Sequence, residues 1–346
     1  MAPIRNGALI FNEVPQRYPV PGKTTVYDDK RTIDLDNVPL NGSVLIKVLV
    51  LSVDPYMRGR MREPEVKSYS PPYTLGQPIT GGAVGVILRS EHDDYKPGDH
   101  VLGLVNFEEY TIPSNLTFLK KITREPGLDW PVYLGAAGMP GRSAYFAWKK
   151  YAQAKKGDTV FVSGGAGPVG LMVIQLAKLD GMKVIASAGT DEKVQDCKDV
   201  GADVAFNYKH TELSEVLEKD GPWHVFWDNV GGGVFDAALP YAALHARVIV
   251  CGMISTYNED PEEGVRLKNL RMILVKSLHI HGFFVSDLST PELEEEFYST
   301  IPKKLASGEL KHREDITKGL ENAGTALEDV QRGRNFGKKV VLVAEE

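Results

Sequence analysis

The clearest indication of the fold of this chain is the segment Thr159-Val160-Phe161-Val162-Ser163-Gly164-Gly165-Ala166-Gly167-Pro168-Val169-Gly170. An apolar run typical of a β-strand leads into a glycine-rich turn, and a helical pattern over 171–178 follows directly. Gly165, Gly167 and Gly170 have the GxGxxG spacing, which permits a tight turn, close approach of the backbone to a pyrophosphate, and close helix-to-strand packing. Phosphates bind at a helix N-terminus. The stretch therefore predicts a dinucleotide-binding unit, with a purely structural glycine turn as the alternative.

Strand-like and helical segments alternate on the C-terminal side of this turn, over 159–163, 169–179, 183–187, 191–200, 204–207, 211–219, 223–228, 233–242 and 247–250. This rhythm predicts an α/β fold with a doubly wound parallel sheet. A helical pattern covers 291–307. A closing strand over 338–343 is expected to rejoin the first domain.

The first third of the chain consists instead of short β-type runs, over 7–11, 43–52, 82–89, 100–104 and 108–112. Such spacing predicts a strand-rich, partly open barrel. The aperiodic segment 62–76 is expected to be a long loop near a site or the surface. We predict a barrel-like substrate domain over 1–130 with 310–346, and a Rossmann-type dinucleotide-binding domain over 131–309.

Length and charge exclude several classes of function. The chain has 346 residues, more than one core usually holds, and a net charge of −6. The acidic balance argues against a nucleic-acid partner, and no apolar run is long enough to cross a bilayer. The N-terminal residues do not form a secretory signal, so a cytoplasmic protein is expected. Two cysteines, Cys197 and Cys251, do not form a disulfide framework and are expected to be reduced thiols.

The end of the second strand favours NADP(H) over NAD(H). NAD sites of this type place an acidic residue about 20 positions beyond the glycines. Here the strand ends Ser187-Ala188-Gly189-Thr190, and the acids Asp191 and Glu192 come later, in the first turn of the next helix. Ser187, Thr190 and Lys193 would accept a 2′-phosphate. The alternative for Lys193 is an ordinary solvent-exposed lysine.

No metal site is expected. Catalytic zinc needs three protein ligands and structural zinc usually four, from Cys, His or acidic residues. The chain has no CxxC motif and no clustered Cys and His. His279 and His281 are a pair at strand spacing without a third ligand nearby in the sequence, so we interpret them as structural or surface residues.

Six sequence islands carry a resemblance that runs nearly from end to end. The chain resembles the zinc-free branch of the medium-chain dehydrogenase/reductase superfamily, specifically the NADP-dependent alkenal/one and prostaglandin reductases and related double-bond reductases. Where zinc-dependent relatives have a Gly-His-Glu motif, this chain has Thr80-Gly81-Gly82-Ala83. The islands cover 52–58, 135–141, 187–193, 228–232, 251–258 and 308–311 through 335–338.

The resemblance implies a GroES-like barrel beside the Rossmann domain, NADP(H) as cofactor, and a set of binding residues. Gly165, Gly167, Pro168, Val169 and Gly170 would hold the pyrophosphate. Lys193 and Tyr208, with Ser187 and Gly189, would hold the 2′-phosphate end. The remaining cofactor contacts implied are Pro55, Met139, Asn229, Cys251, Gly252, Tyr257, Phe283, Phe284, Val285, Asn335 and Gly337. Pro168 departs from the small residue usual at its position and lacks an N–H.

The resemblance also implies the chemistry, which is reduction of the C=C bond of an α,β-unsaturated aldehyde or ketone. Hydride reaches the β-carbon, and a hydroxyl donor stabilises the enolate oxygen. Tyr257 and Tyr56 are the candidates, against the alternative that each is a half-buried core aromatic. The segments 62–76 and 259–268 are expected to shape the substrate pocket. A quinone or carbonyl reductase and a noncatalytic NADPH-binding protein stay open as alternatives. Relatives commonly form dimers, so we expect a homodimer that pairs through the run 278–285.

Overall fold

The computed structural model describes residues 2–260 and 264–346. The chain divides into two compact units. We call Met1–Leu134 with Glu314–Glu346 the outer unit, and Gly135–Arg313 the central unit. The first boundary lies four residues beyond the one expected from the sequence, because the 3-10 helix Trp130–Leu134 contacts strands of the outer unit. The second boundary also lies four residues beyond the expected one.

Short strands dominate the first part of the outer unit. They are β1 (Ile4–Arg5), β2 (Ala8–Phe11), β3 (Thr25–Asp28), β4 (Thr32–Ile33), β5 (Val44–Ser52), β6 (Thr80–Ser90), β7 (His100–Asn106), β8 (Tyr110–Thr111) and β9 (Lys120–Lys121). A short helix, α1 (Met57–Arg60), follows β5. The strand expected over 108–112 is reduced to two residues. Glu109, just before it, donates its main-chain N–H to Gly7 O at 3.0 Å and accepts from the Gly7 N–H at Oε2 at 2.8 Å.

Strands and helices alternate in the central unit. They are α2 (Met139–Ala147), a π-helix (Trp148–Ala152), β10 (Thr159–Val162), α3 (Pro168–Leu179), β11 (Lys183–Ala188), α4 (Asp191–Asp199), β12 (Val204–Asn207), α5 (Leu213–Asp220), β13 (Trp223–Asp228), α6 (Gly232–Ala238), a 3-10 helix (Leu239–Tyr241), β14 (Ala242–Val250), a 3-10 helix (Ile254–Thr256), α7 (Arg271–Val275), β15 (His279–Gly282), α8 (Val285–Leu288) and α9 (Pro291–Ala306). The helix expected to continue to residue 242 ends at Ala238, because Pro240 has no N–H for the helical ladder.

The outer unit is completed by the C-terminal segment. This segment forms β16 (Glu314–Lys318), a 3-10 helix (Leu320–Asn322), α10 (Ala323–Gln331) and β17 (Lys338–Leu342). Strand β17 pairs antiparallel with β5, with Val340 opposite Ser52.

Each unit is built on its own large sheet. In the described part of the central unit, six parallel strands have the order β12-β11-β10-β13-β14-β15, which is the 3-2-1-4-5-6 order of a dinucleotide-binding fold. The described part of the outer unit has a seven-stranded sheet along β16-β17-β5-β6-β7-β9, with β8 paired to β5. The predicted α/β class, a doubly wound parallel sheet with a strand-rich second unit, is confirmed.

Apolar side chains bury against both sheets. In the central unit, one cluster contains Phe161, Phe226 and Trp223, and all three side chains are fully buried. In the outer unit, Phe11, Met57 and Phe107 share a second cluster. None of the helices in the described ranges combines the length and apolarity that a bilayer crossing requires.

Candidate active site

The glycine turn after β10 has its left-handed residue at Gly164, immediately before the GxGxxG positions. Gly164 has φ +60°. A Cβ at Gly165 would lie 3.0 Å from both Ala186 Cβ and Cys197 Sγ, so this glycine allows the turn to pack against β11. A Cβ at Gly170 would lie 2.6 Å from the carbonyl oxygens of Gly164 and Gly165. The tight turn and the close packing expected from the motif are thus divided among three different glycines.

The N-terminus of α3 is open toward this turn. Gly167 is the N-cap residue, Pro168 is the first helical residue, and no side chain from the described residues caps the helix. Because the first N–H groups of a helix have no intrahelical partner, Val169 and Gly170 offer main-chain donors here. Pro168 occupies the position where a missing N–H costs least. A Cβ at Gly167 would meet only Gly164 O, at 3.5 Å. These features fit a pyrophosphate group.

The acidic residues that follow β11, Asp191 and Glu192, lie in the first turn of α4. Thr190 caps α4, with its hydroxyl accepting from Lys193 N at 3.3 Å. The carboxylate of Asp191 accepts from Asn207 Nδ2 at 2.8 Å. The Tyr208 hydroxyl lies 2.9 Å from where a Cβ on Gly189 would be, and its side chain is 54% exposed. Ser187 is buried, and its carbonyl accepts from Gly165 N. Tyr208 and the first turn of α4 therefore lie at the same strand end.

A buried carboxylate organises the loops that follow β10 and β13. Asp228 accepts hydrogen bonds from Ser163 Oγ at 2.7 Å and from the N–H groups of Val230 and Gly231 at 3.0 Å. Burial raises the pKa of Asp228, although these hydrogen bonds oppose the rise. The sequence analysis did not select Ser163 or Asp228. Their positions, each at the C-terminal end of a predicted strand, were the available signal.

Asn229 joins the glycine turn to the next loop. Its Nδ2 donates to Ser163 O at 2.7 Å, and its Oδ1 accepts from Trp227 Nε1 at 3.1 Å. The amide group thus has a structural role in addition to the cofactor role predicted for Asn229. A Cβ on Gly164 would lie 3.5 Å from Asn229 Cβ. A Cβ on Gly252 would lie 3.3 Å from Asn229 O.

Tyr257 lies in the same region. Its hydroxyl accepts a hydrogen bond from Met253 N at 3.2 Å and is 3.5 Å from where a Cβ on Gly252 would be. Cys251 N donates to Asp228 O at 2.8 Å. Burial, with a smaller contribution from Asp228, raises the pKa of the Cys251 thiol to about 12, so it is neutral at physiological pH. Gly164, Asn229, Gly252 and Tyr257 therefore form a contiguous series at the C-terminal edge of the sheet.

The other cofactor contacts predicted for the central unit lie at the start of α2 and directly after β15. Met139 begins α2, and its carbonyl accepts from Ser143 Oγ at 2.9 Å. Phe283 packs with ring centroids 6.0 Å from Trp227 and 6.4 Å from Tyr151, whereas Phe284 is 46% exposed. Val285 is the first residue of α8.

The predicted residues of the outer unit lie in two segments, one directly before α1 and one directly before β17. Asp54 and Pro55 precede Tyr56, and Asn335 and Gly337 precede β17. Asn335 Nδ2 donates to Gly337 O at 2.8 Å. Burial, and next the Asp54 carboxylate, raise the pKa of the Tyr56 phenol well above its usual range. Tyr56 is therefore protonated at neutral pH.

The segment 62–76 follows α1 and is held by two arginines. Arg60 donates from Nη1 to Thr80 O at 3.1 Å and from Nε to Pro71 O at 3.1 Å, and its guanidinium lies 4.2 Å from the centroid of the Tyr73 ring. Arg62 donates from Nη1 to Gly59 O at 2.7 Å and from Nε to Val66 O at 2.8 Å. The loop is therefore ordered by side chains at its beginning. Of the second predicted pocket segment, 259–268, residues 261–263 lie outside the described residues.

The described residues contain no group of three or more His, Cys, Asp or Glu that could hold a metal ion. His279 and His281 lie on β15, and His281 stacks on Tyr151 with centroids 4.5 Å apart. Burial, and next the charge of His279, lower the pKa of His281.

Known proteins match both parts of the chain. The model described as "N-terminal domain of oxidoreductase" matches residues 27–122, and the model described as "Zinc-binding dehydrogenase" matches residues 168–302. The 2-alkenal reductase (NADP(+)-dependent) of Nicotiana tabacum is 39% identical over 333 residues, covering 93% of this chain and 95% of that protein. The NADPH-dependent curcumin reductase of Escherichia coli is 36% identical over 346 residues, covering 98% and 97%.

A solved structure agrees with these relatives. CurA of Vibrio vulnificus in complex with NADPH superposes with a TM-score of 0.87 at 33% identity, covering 98% of this chain and 100% of that chain. Identity above 30% across nearly the whole length confirms the family expected from the sequence islands. This chain belongs to the medium-chain dehydrogenase/reductase superfamily, in its family of NADP-dependent alkenal and enone double-bond reductases.

Proposed function

We propose that the protein reduces the C=C bond of α,β-unsaturated aldehydes and ketones with NADPH, without a metal ion. The observation that carries this proposal is the contiguous series Gly164, Asn229, Gly252 and Tyr257, which connects the phosphate-binding turn to a phenol hydroxyl. It places a hydrogen-bond donor at the edge of the sheet where wound folds bind their ligands. The relative from Nicotiana tabacum is named for 2-alkenals, which are α,β-unsaturated aldehydes.

The cofactor is NADP(H). Its pyrophosphate is held by the main-chain N–H groups at the start of α3, beside the turn that Gly164, Gly165 and Gly170 allow. Its 2′-phosphate is held by Lys193 and Tyr208, at a strand end whose nearby acid, Asp191, is bound to Asn207. A cation and a phenol attract a phosphate dianion, whereas a carboxylate there would repel it.

When bound, NADPH would supply a hydride to the β-carbon of the substrate, and a proton taken up at the α-carbon would complete the reduction. Negative charge then develops on the carbonyl oxygen, and a phenol donates a stronger hydrogen bond to that oxygen than to the neutral carbonyl. We assign this role to Tyr257. Its oxygen accepts from Met253 N–H, and a phenol can accept and donate at the same time. A donor chain of this kind polarises the terminal O–H.

Tyr56 is the second phenol of the proposed mechanism. Its raised pKa means that it stays protonated over the pH range in which most enzymes work, so it can donate but does not act as a base. Pro55, Asn335 and Gly337 complete the cofactor and substrate contacts of the outer unit in this proposal. The ordered loop over 62–76 contributes Tyr69 and Tyr73 beside the same turn, since both affect the pKa of Tyr56 electrostatically.

The test is Tyr257→Phe, with Tyr241→Phe as the control from the same unit. Tyr257→Phe is expected to lower kcat about 10- to 1000-fold with a simple enone, because one donor to the developing oxyanion is lost. The Kd of NADPH should stay within about twofold. The assay follows the loss of nicotinamide absorbance with an enone, a quinone, and no acceptor. An unchanged kcat would remove Tyr257 from the mechanism. Turnover of quinone alone would replace the proposed reaction.

We also propose a homodimer that pairs through β15. This strand is the last of the six-stranded sheet, so one of its edges has main-chain groups without a neighbouring strand among the described residues. Apolar side chains are exposed beside it, including Leu274 at 84% and Ile280 at 40%. Two copies related by a two-fold axis would bury this edge and continue the sheet.

A further inference from the structure

A buried ion pair lies behind the turn that carries Tyr56. Lys338 Nζ lies 2.6 Å from Asp54 Oδ1, and the two side chains are only 2% and 5% exposed. Lys338 also donates to Val53 O at 2.9 Å. The second oxygen of Asp54 accepts from the Ser52 hydroxyl. The pair is thus surrounded by protein groups that satisfy it.

The pair connects the two segments that hold the proposed site residues of the outer unit. Asp54 starts the turn at Pro55 and Tyr56, and its carbonyl accepts from Met57 N at 3.2 Å as α1 begins. Lys338 directly follows Gly337 and is the first residue of β17. The two residues are 284 positions apart in the sequence. Gln331 adds a second link, since its Nε2 donates to Pro55 O at 3.0 Å.

Stability alone does not explain a charged pair at this place. The cost of removing two charges from water often equals or exceeds their attraction, and a neutral pair of similar volume can be as stable. Apolar neighbours such as Val53 and Met57 are already fully buried there. What a charged pair provides is direction, because each of its hydrogen bonds has a preferred length and angle.

We propose that the Asp54–Lys338 ion pair is a positioning element, which fixes the turn at Tyr56 against the segment Asn335–Gly337 and so sets the direction of the Tyr56 hydroxyl. This inference rests on the proposed function and names residues that act through Tyr56. The Asp54 carboxylate also acts on the phenol electrostatically, since it raises the pKa of Tyr56. Lys338 compensates that charge at 2.6 Å.

The first experiment measures kcat, KM and the melting temperature of Asp54→Asn, Lys338→Met and the double variant with a simple enone. Each single variant is expected to lower the melting temperature and to lower kcat about 10- to 100-fold, because one buried partner is left unmatched and the phenol is misplaced. The double variant should regain most of the melting temperature, while kcat stays low. Recovery of kcat together with stability would make the pair purely structural and overturn the proposal.

The control is Glu108→Gln, which breaks a different ion pair of the same unit. Glu108 is buried, and its Oε1 lies 2.7 Å from Arg31 Nη2. This variant is expected to lower stability without changing kcat. In a Tyr56→Phe background, Asp54→Asn should change kcat less than about threefold, because its effect passes through the missing hydroxyl. A full loss in that background would also refute the positioning role.

A second readout does not depend on turnover. A fluorotyrosine placed at position 56 should give one sharp ¹⁹F resonance in the parent protein, and a displaced or split resonance in Asp54→Asn, Lys338→Met and the double variant. Glu108→Gln should leave it unchanged. If the parent reduced no enone but the resonance responded as stated, the proposed reaction would fail and the positioning role would stand. If enone reduction were normal and no variant moved the resonance, only the positioning role would fail.

Discussion

Replacement of Gly170 by alanine tests the geometry of the phosphate-binding turn. Gly170 is the third residue of α3, where alanine would ordinarily stabilise a helix by about 1 kcal/mol relative to glycine. Here a Cβ would lie 2.6 Å from both Gly164 O and Gly165 O, about 0.8 Å short of the 3.4 Å at which ordinary contact begins. Both obstacles are backbone atoms, so no change of side-chain rotamer relieves them. The helix and the turn must separate.

The expected result is a loss of both stability and cofactor affinity. Overpacking of this kind costs about 1–3 kcal/mol, which exceeds the gain in helix propensity. Separation of the turn from α3 also moves the main-chain donors, so the Kd of NADPH should rise about tenfold, equivalent to about 1.4 kcal/mol. Denaturant unfolding measures the first effect. Quenching of protein fluorescence by NADPH measures the second.

Two neighbouring glycines provide graded controls. Gly167→Ala meets only one protein atom, at 3.5 Å, and should leave stability nearly unchanged. Gly165→Ala meets Ala186 and Cys197 at 3.0 Å and should have an intermediate effect, which Cys197→Ala should partly reverse because it removes one obstacle. The loss of stability on substitution by alanine is therefore expected to increase from Gly167 to Gly165 to Gly170. A Gly170→Ala protein more stable than the parent, as helix propensity alone predicts, would show that close contact with Gly164 O and Gly165 O does not control this position.

Three further outcomes are expected. Lys193→Ala should raise KM for NADPH about tenfold and leave KM for NADH nearly unchanged, because one charge pair with the 2′-phosphate is lost. The control is Lys198→Ala, on the same helix. Equal effects on both cofactors would contradict the assignment of Lys193 to the 2′-phosphate. Light scattering should give the mass of two chains for the parent protein. Ile280→Glu should reduce it to the mass of one chain, since a charge on the exposed edge strand opposes pairing. If Ile280→Glu were still dimeric, the interface would lie elsewhere. The pKa of His281 is lowered from 6.5 in the folded protein, so the unfolded chain binds more protons just below pH 6.5, and stability should fall as the pH decreases through that range. His281→Phe, which keeps an aromatic partner for Tyr151, should flatten that dependence in denaturant unfolding, and an unaltered slope would assign it to other groups.

Local patterns in the sequence were enough to predict the parallel sheet and its glycine turn. The turn at Gly164–Gly170 is encoded within a dozen residues, and hydrophobic periodicity is a property of each segment alone. Pattern reasoning failed where a tertiary contact or a single residue overrides periodicity. Pro240 ended a helix that the pattern extended to residue 242, and Glu109, expected inside a strand over 108–112, donates its main-chain N–H to Gly7 O in the N-terminal segment. The family resemblance supplied the candidate site residues, but it did not supply their hydrogen bonds.

The buried polar contacts form the part of the site that no segment encodes by itself. Asp228 and Ser163 are 65 positions apart, and they meet because β10 and β13 are neighbours in the sheet. Asp54 and Lys338 meet because β17 returns to pair with β5. An isolated aspartate in a sequence is most often a surface residue. The structural roles of Asp228 and Asp54 can therefore be recognised only once the strand order is known. The Asp228 carboxylate binds the turn at Val230 and Gly231, and Val230 O in turn accepts from Ser255 in the segment before Tyr257. The Asp54 carboxylate binds Lys338 behind the turn at Tyr56. A desolvated carboxylate with directed partners, at or just after the end of a buried strand, therefore lies behind each of the two segments that carry a proposed donor.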